Sequence, residues 1–440
     1  MNRNMTSPFE RAHAAWEAMA PLRRSRTRLK NFTYGDQWSW PVADASGHII
    51  TEGDAVRSLG KTPLTNNLLR SLVKSVVGRF RYNIAAEKRK ESAAPAFNRL
   101  DELDARTLEE FLISGCAIQR VVAEKRPEGC GAWADKVSPA LFFCNPFTDP
   151  RGTDIELIGM LHEMDCEQMI MRFGHGNARR ARMIRDTWRR NCRDADSSTA
   201  FSHQPGTFFS ASADGKCRVI EVWTLDYTGN RRSASSSTSY KVEWHCRFYA
   251  PCGMLLDHTV SPYADGSHPF VVKFYPLTDG EVHPFIEDIV EQQRHINRLI
   301  TMIDHVLAVS AKGVLLYPLE AQPDGFSIAD AVALWNRPGG VIPIDGTAGR
   351  IPTQLNSEAS TDNAARLLDI EMNMMRQISG VSAALQGQTS AANQSATMFE
   401  SQIQNSAIAL LDIFETFNTF RTVRDEKLAQ CAGICKINSN

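Results

Sequence analysis

The sequence predicts a mixed α+β protein, mainly helical, on three observations. Apolar residues recur at three- and four-residue spacing over long stretches towards both ends, the period of a helix with one buried face. Between them, residues 140 to 280 break into aromatic and β-branched segments separated by turn residues, which reads as strands. At 440 residues, 43% hydrophobic and 22% charged, the chain has material for two or three domains with ample core.

The elements follow in order. Pro8 to Leu29 reads as one amphipathic helix running into NFTYGDQWSW, residues 31 to 40, where Tyr34, Trp38 and Trp40 anchor an irregular segment. Residues 62 to 83 carry Leu68, Leu69, Leu72, Val73, Val76, Val77 and Phe80 on one helical stripe. A third helix is expected from Phe97 to about Ala123. MDCEQMIMRFG then leads into a basic helix over residues 178 to 191, and Asp194 to Gly215 reads as a Ser/Asp/Ala-rich loop. CRVIEVWTLDY, SYKVEWHCRFYA and MLLDHTV have strand composition.

From residue 284 the pattern changes. Ile286, Ile289, Val290, Gln293, Ile296, Ile300, Ile303 and Leu307 form a near-heptad stripe on a long helix between Pro284 and Gly313. A small α/β insert follows. GVLLYP is a strand, SIADAVALW a short helix with Ser327 and Asp330 as a capping pair, and RPGGVIPI a turn into a strand. Thr361 to Ser379 forms a second amphipathic helix carrying Leu367, Leu368, Met374, Met375 and Ile378, with Gly380 as its cap. ISGVSAALQGQTSAANQSA, residues 378 to 396, carries no charge. A last helix is expected from about Ala396 to Leu428.

Composition excludes several classes. A net charge of −1 and a pI near 6.8 argue against wholesale attraction to nucleic acid or anionic membrane. No apolar run reaches the length of a membrane span, and the first thirty residues lack the apolar core of a secretory signal. Ten cysteines are scattered without CxxC spacing, which fits reduced buried thiols rather than a zinc site. No phosphate-binding loop, metalloprotease helix or nucleophile elbow is present. No catalytic residue, metal or cofactor is therefore expected. Among the arginines from Arg172 to Arg193, Arg179, Arg182 and Arg189 are the candidate phosphate contacts, against the rival reading of a solvated or interface face.

Several motifs carry a resemblance in their order. YGDQW (Tyr34 to Trp38), PLTNNLLRSLVKSVVG (Pro63 to Gly78), an HPF strand (His268 to Phe270) and EQQRHINRLITMID (Glu291 to Asp304) come first. SGVSAALQG (Ser379 to Gly387) and QSA (Gln394 to Ala396) complete the series. Together they resemble tailed-bacteriophage portal proteins, with Gln293, Arg294 and Asn297 matching a QR-x-x-N core. The resemblance implies a wing over residues 1–283, a first stem helix at 284–312, a clip at 313–358 and a second stem helix at 359–380. It further implies a tunnel loop at 381–396 and a long wing helix with a short tail at 397–440, the crown being absent or vestigial. Such chains assemble as a ring, usually of about twelve subunits, at one capsid vertex of the virion after assembly in the host cytoplasm. Expected partners are further copies of the chain, double-stranded DNA, the terminase large subunit, a head-tail adaptor and the major capsid or scaffolding protein. No membrane is involved.

Under this reading Ile286, Ile289, Val290, Gln293, Asn297, Ile300, Leu367 and Met375 are the expected subunit contacts of the stem. The loop residues facing DNA would be Gln386, Gly387, Gln388, Thr389, Ser390, Asn393 and Gln394. Neutral side chains suit that place, because each Lys or Arg contact adds a salt-dependent attraction that would hold passing DNA. Two rivals stay open: a metal-dependent nucleic-acid-processing enzyme of the cytoplasm, and a monomeric helical adaptor.

Overall fold

The computed structural model describes residues 7–88, 96–127, 129–195, 207–210, 215–263, 265–310, 314–335, 337, 341–345, 351–355, 362–381 and 408–437, apart from 231–238. The mixed α+β class is borne out. Helices α1 (Pro8–Ala18) and α2 (Ala20–Thr33) open the described chain, followed by the hairpin β1 (Pro41–Ala43) and β2 (Ile49–Thr51). Next come α3 (Glu52–Ser58), α4 (Leu68–Lys88), α5 (Leu100–Ser114), β3 (Cys116–Arg126), β4 (Gly129–Lys136), β5 (Phe142–Cys144) and β6 (Leu157–Met164). Then α6 (Cys166–Phe173), α7 (Ala178–Ala195), β7 (Cys217–Asn230), β8 (Ser239–Tyr249), β9 (Leu255–Val260) and β10 (Phe270–Phe274) follow. The short pair β11 (Leu277–Thr278) and β12 (Glu281–Val282) leads to α8 (Val290–Ser310), β13 (Val314–Leu316), α9 (Ile328–Trp335) and β14 (Thr353–Leu355). Finally there are α10 (Asp362–Ser379) and α11 (Leu411–Ile437). No described helix is long and apolar enough to cross a membrane.

The chain divides into two compact units. The larger comprises residues 1–35, 67–290 and 376–440, and the smaller residues 36–66 and 291–375. Two antiparallel sheets build the larger: a three-stranded one ordered β10-β3-β4 and a five-stranded one ordered β5-β6-β7-β8-β9. The helices α5 and α11 pack on the first sheet, and α1 packs on the second.

Aromatic side chains fill the space between helices. The rings of Phe80 and Phe111 lie 5.2 and 5.8 Å from Phe417, joining α4, α5 and α11. Two buried charged groups of the larger unit are paired. Arg424 of α11 meets Asp104 of α5 at 2.6 Å and Gln119 of β3 at 3.2 Å. Glu221 of β7 accepts from Trp223 at 2.7 Å and from Arg120 at 3.3 Å, and lies 2.6 Å from His162. Burial pushes the Glu221 carboxyl up, but Arg120 and His162 together with the Trp223 indole hold it well below the usual carboxylate range.

Three expectations change, each for a local reason. The helix expected from Pro8 to Leu29 is two helices, because Met19 leaves helical geometry (ψ 4°) just before Pro21, whose ring cannot continue the ladder. The helix expected from Phe97 to Ala123 stops at Gly115 and turns into β3. Gly115 has φ 69°, and a Cβ there would fall 2.4 Å from Val282 and 2.7 Å from the Tyr275 carbonyl. In the smaller unit, residues 341–345 form no strand, and β13 pairs instead with β14 through Leu315 opposite Gln354.

Other expectations hold. The capping pair is present: Asp330 N donates to Ser327 Oγ at 3.2 Å and Ser327 N to Asp330 Oδ2 at 3.1 Å. Gly380 caps α10 at φ 64°. The helix expected from Ala396 differs: a turn at Leu410 interrupts it, and the last helix runs from Leu411 past Leu428 to Ile437, while residues 382–407 lie outside the described set.

Candidate assembly surfaces on the long helices

Within the smaller unit, one face of α8 is a polar ladder. Gln293, Asn297 and Thr301 sit four residues apart and so stack along a single helix face. Thr301 Oγ accepts from the Leu64 amide at 3.0 Å, and Asn297 Oδ1 accepts from the Asn66 amide at 3.1 Å. Gln293 donates to the Asn66 carbonyl at 2.7 Å and to Asn297 at 3.0 Å, while Asn297 Nδ2 donates to Gln37 at 2.6 Å. Every rung is buried, so every rung needs its partner.

An ionic layer sits beside the ladder. Glu52, itself buried, receives Arg294 at 3.0 Å and also pairs with Arg298. Arg294 reaches Glu291 at 2.8 Å as well, and its guanidinium lies 4.2 Å from the centre of the Trp40 ring. The QR-x-x-N core therefore binds residues 37–66 of its own chain.

Most of the expected stem contacts lie inside the chain. Ile286, Ile289, Val290, Gln293, Asn297 and Met375 are all buried inside the chain. Ile300 is half-buried, and of the eight only Leu367 is exposed.

The open apolar surface lies on α10, where two seams run side by side. Leu368, Met372, Met375 and Ser379 face inward at i, i+4, i+7 and i+11. Leu367, Ile370, Met374 and Ile378, at i, i+3, i+7 and i+11, form a second seam that is 39–54% exposed. The sequence reading merged the two into one face and missed Ile370. An apolar stripe too wide for a single partner is the signal that separates them.

On α7, Arg179, Arg182 and Arg189 are all exposed and share one face, and no described carboxylate pairs with them. Three neighbouring arginines, Arg172 of α6 among them, are engaged. Arg180 donates to the Leu256 carbonyl at 2.5 Å, Arg185 lies 4.0 Å from Glu167, and Arg172 lies over the Phe248 ring at 4.8 Å. The exposed face also carries Asp186 and Met183. Gln386, Gly387, Gln388, Thr389, Ser390, Asn393 and Gln394 lie outside the described residues. Among the described residues, no group of three His, Cys, Asp or Glu side chains is placed to hold a metal ion.

The architecture is that of a mixed α+β chain with apolar and cationic helix faces left open. Residues 98–432 match the family model of the phage P22-like portal protein, and the chain belongs to that family. The match runs from just before α5 through most of α11 and takes in α7, α8 and α10. Comparison with curated proteins gives no match.

Proposed function

We propose that this chain is the subunit of a portal ring at one capsid vertex, through which double-stranded DNA is packaged and ejected. The family membership supports this reading, and the observation that carries it is the exposed second seam of α10. In a closed ring every subunit meets two neighbours through different surfaces, so a helix packed in its own chain needs a further apolar face. Leu367, Ile370, Met374 and Ile378 are that face in this proposal, replacing the buried residues of α8.

The remaining assignments follow the family. Residues 1–283 and 397–440 form the wing, α8 and α10 the stem, residues 313–358 the clip, and residues 381–396 a loop in the channel. Gln386, Gly387, Gln388, Thr389, Ser390, Asn393 and Gln394 are the residues of that loop proposed to meet DNA. Arg179, Arg182 and Arg189 are proposed phosphate contacts, supported by their exposure and the lack of described carboxylate partners. Terminase and the head-tail adaptor would dock on the ring, its twelvefold order being the family's, and capsid or scaffolding protein on its rim. The subunit is structural, with ATP hydrolysis left to the terminase, and its place is the virion.

Electron microscopy of the purified chain and of Ile370→Glu with Met374→Glu tests this. The wild type should give rotationally symmetric rings with a hole wide enough for duplex DNA, and the double variant monomers of unchanged fold. Rings in both would remove α10 from the interface. Monomers of wild type at every concentration and salt would favour the helical adaptor.

A further inference from the structure

The five-stranded sheet carries a pair of histidines that the portal role does not use. His245 of β8 and His258 of β9 lie diagonally across the strand pair, since the register sets Arg247 opposite His258 and His245 opposite Val260. His245 Nδ1 is 3.0 Å from His258 Nε2, and the rings are 19° from parallel with centroids 5.2 Å apart. Two neutral imidazoles can share one proton in that contact. They can equally replace it with a cation, because metal–nitrogen bonds of about 2.0–2.1 Å at near-right to tetrahedral angles need nitrogens about 2.9–3.4 Å apart.

From this geometry we infer that His245 and His258 form a two-histidine chelate for a divalent transition metal of the imidazole-preferring class: nickel, copper or zinc. The surroundings permit the charge. Arg247, the nearest cation on this face, is held by Asp226 and Thr224, each at 2.5 Å, and Lys241 is held by Glu243 at 2.7 Å. Two protein ligands leave the other coordination positions to water. Joining adjacent strands, the ion would hold the edge strand β9 to β8.

The test is calorimetric titration of untagged, full-length protein with nickel chloride at pH 7.5, because nickel is less drawn to thiols than zinc or copper. One ion per chain should bind in the micromolar range, and His245→Gln and His258→Gln should each weaken it at least tenfold. Nickel should also raise the thermal midpoint of the wild type and not of either variant. Identical titrations for wild type and both variants, or no wild-type site tighter than millimolar, would overturn the inference. Either result can arise whether or not the chain forms rings, so the two proposals fail separately.

Discussion

The helices α8 and α10 both read as amphipathic, yet the fold treats them oppositely. On α8 the polar positions within the stripe are filled by the chain's own residues 37–66, so Gln293 and Asn297 end as buried, satisfied groups. On α10 one seam packs inside and a second, wholly apolar one stays open. The difference teaches that an apolar period identifies a helix with something to bury, without saying whether the partner belongs to the same chain.

Three substitutions sharpen or break this contrast. Asn297→Ala should have the largest effect on the fold. It removes one hydrogen-bond partner each from the Asn66 amide, the Gln37 side-chain carbonyl and the Gln293 amide, and a buried polar group left unsatisfied costs about 1–3 kcal/mol. We expect about 3 kcal/mol less stability in urea denaturation and faster proteolysis within residues 37–66. A loss under about 1 kcal/mol would mean that the ladder is not what fastens this segment. Glu52→Gln comes next. Arg294 keeps Glu291 but loses its buried carboxylate, so about 2 kcal/mol should be lost, less than for a wholly orphaned buried charge. The smallest change in stability belongs to Ile370→Glu, which alters an already solvated position. The isolated chain should stay within about 0.5 kcal/mol of wild type in the same denaturation. A larger loss would show that the open seam is packed within the chain after all.

Much of the fold was legible where a local rule operates alone. The strands β7, β8 and β9 follow from branched and aromatic residues between turns, and α9 from the Ser327–Asp330 cap. Legibility failed where a neighbour distant in sequence decides. Cys116 to Ala123 continues the apolar pattern of α5, but it becomes β3 because β4 and β10 supply ladder partners on both sides. The short α3 was missed because its seven residues carry little periodicity. Its buried Glu52 makes sense only beside Arg294 and Arg298, far along the chain. For the candidate surface, the exposure of Arg179, Arg182 and Arg189 was readable from their helical spacing, whereas the second seam of α10 was not.

By itself the sequence determined the mixed α+β class, the long helices and their caps, the strand-rich middle and the ordered motifs that point to a portal protein. The class, helices and strands rest on periodicity, capping and turn chemistry, which act within a few residues, and the portal reading rests on the resemblance of the motifs in their order. Only the tertiary structure decided that the QR-x-x-N face of α8 is occupied from within and that α10 leaves one apolar seam exposed. It also brought His245 within 3.0 Å of His258. The reason is physical: burial depends on which distant surfaces meet, and a helical or strand period records only that some surface must.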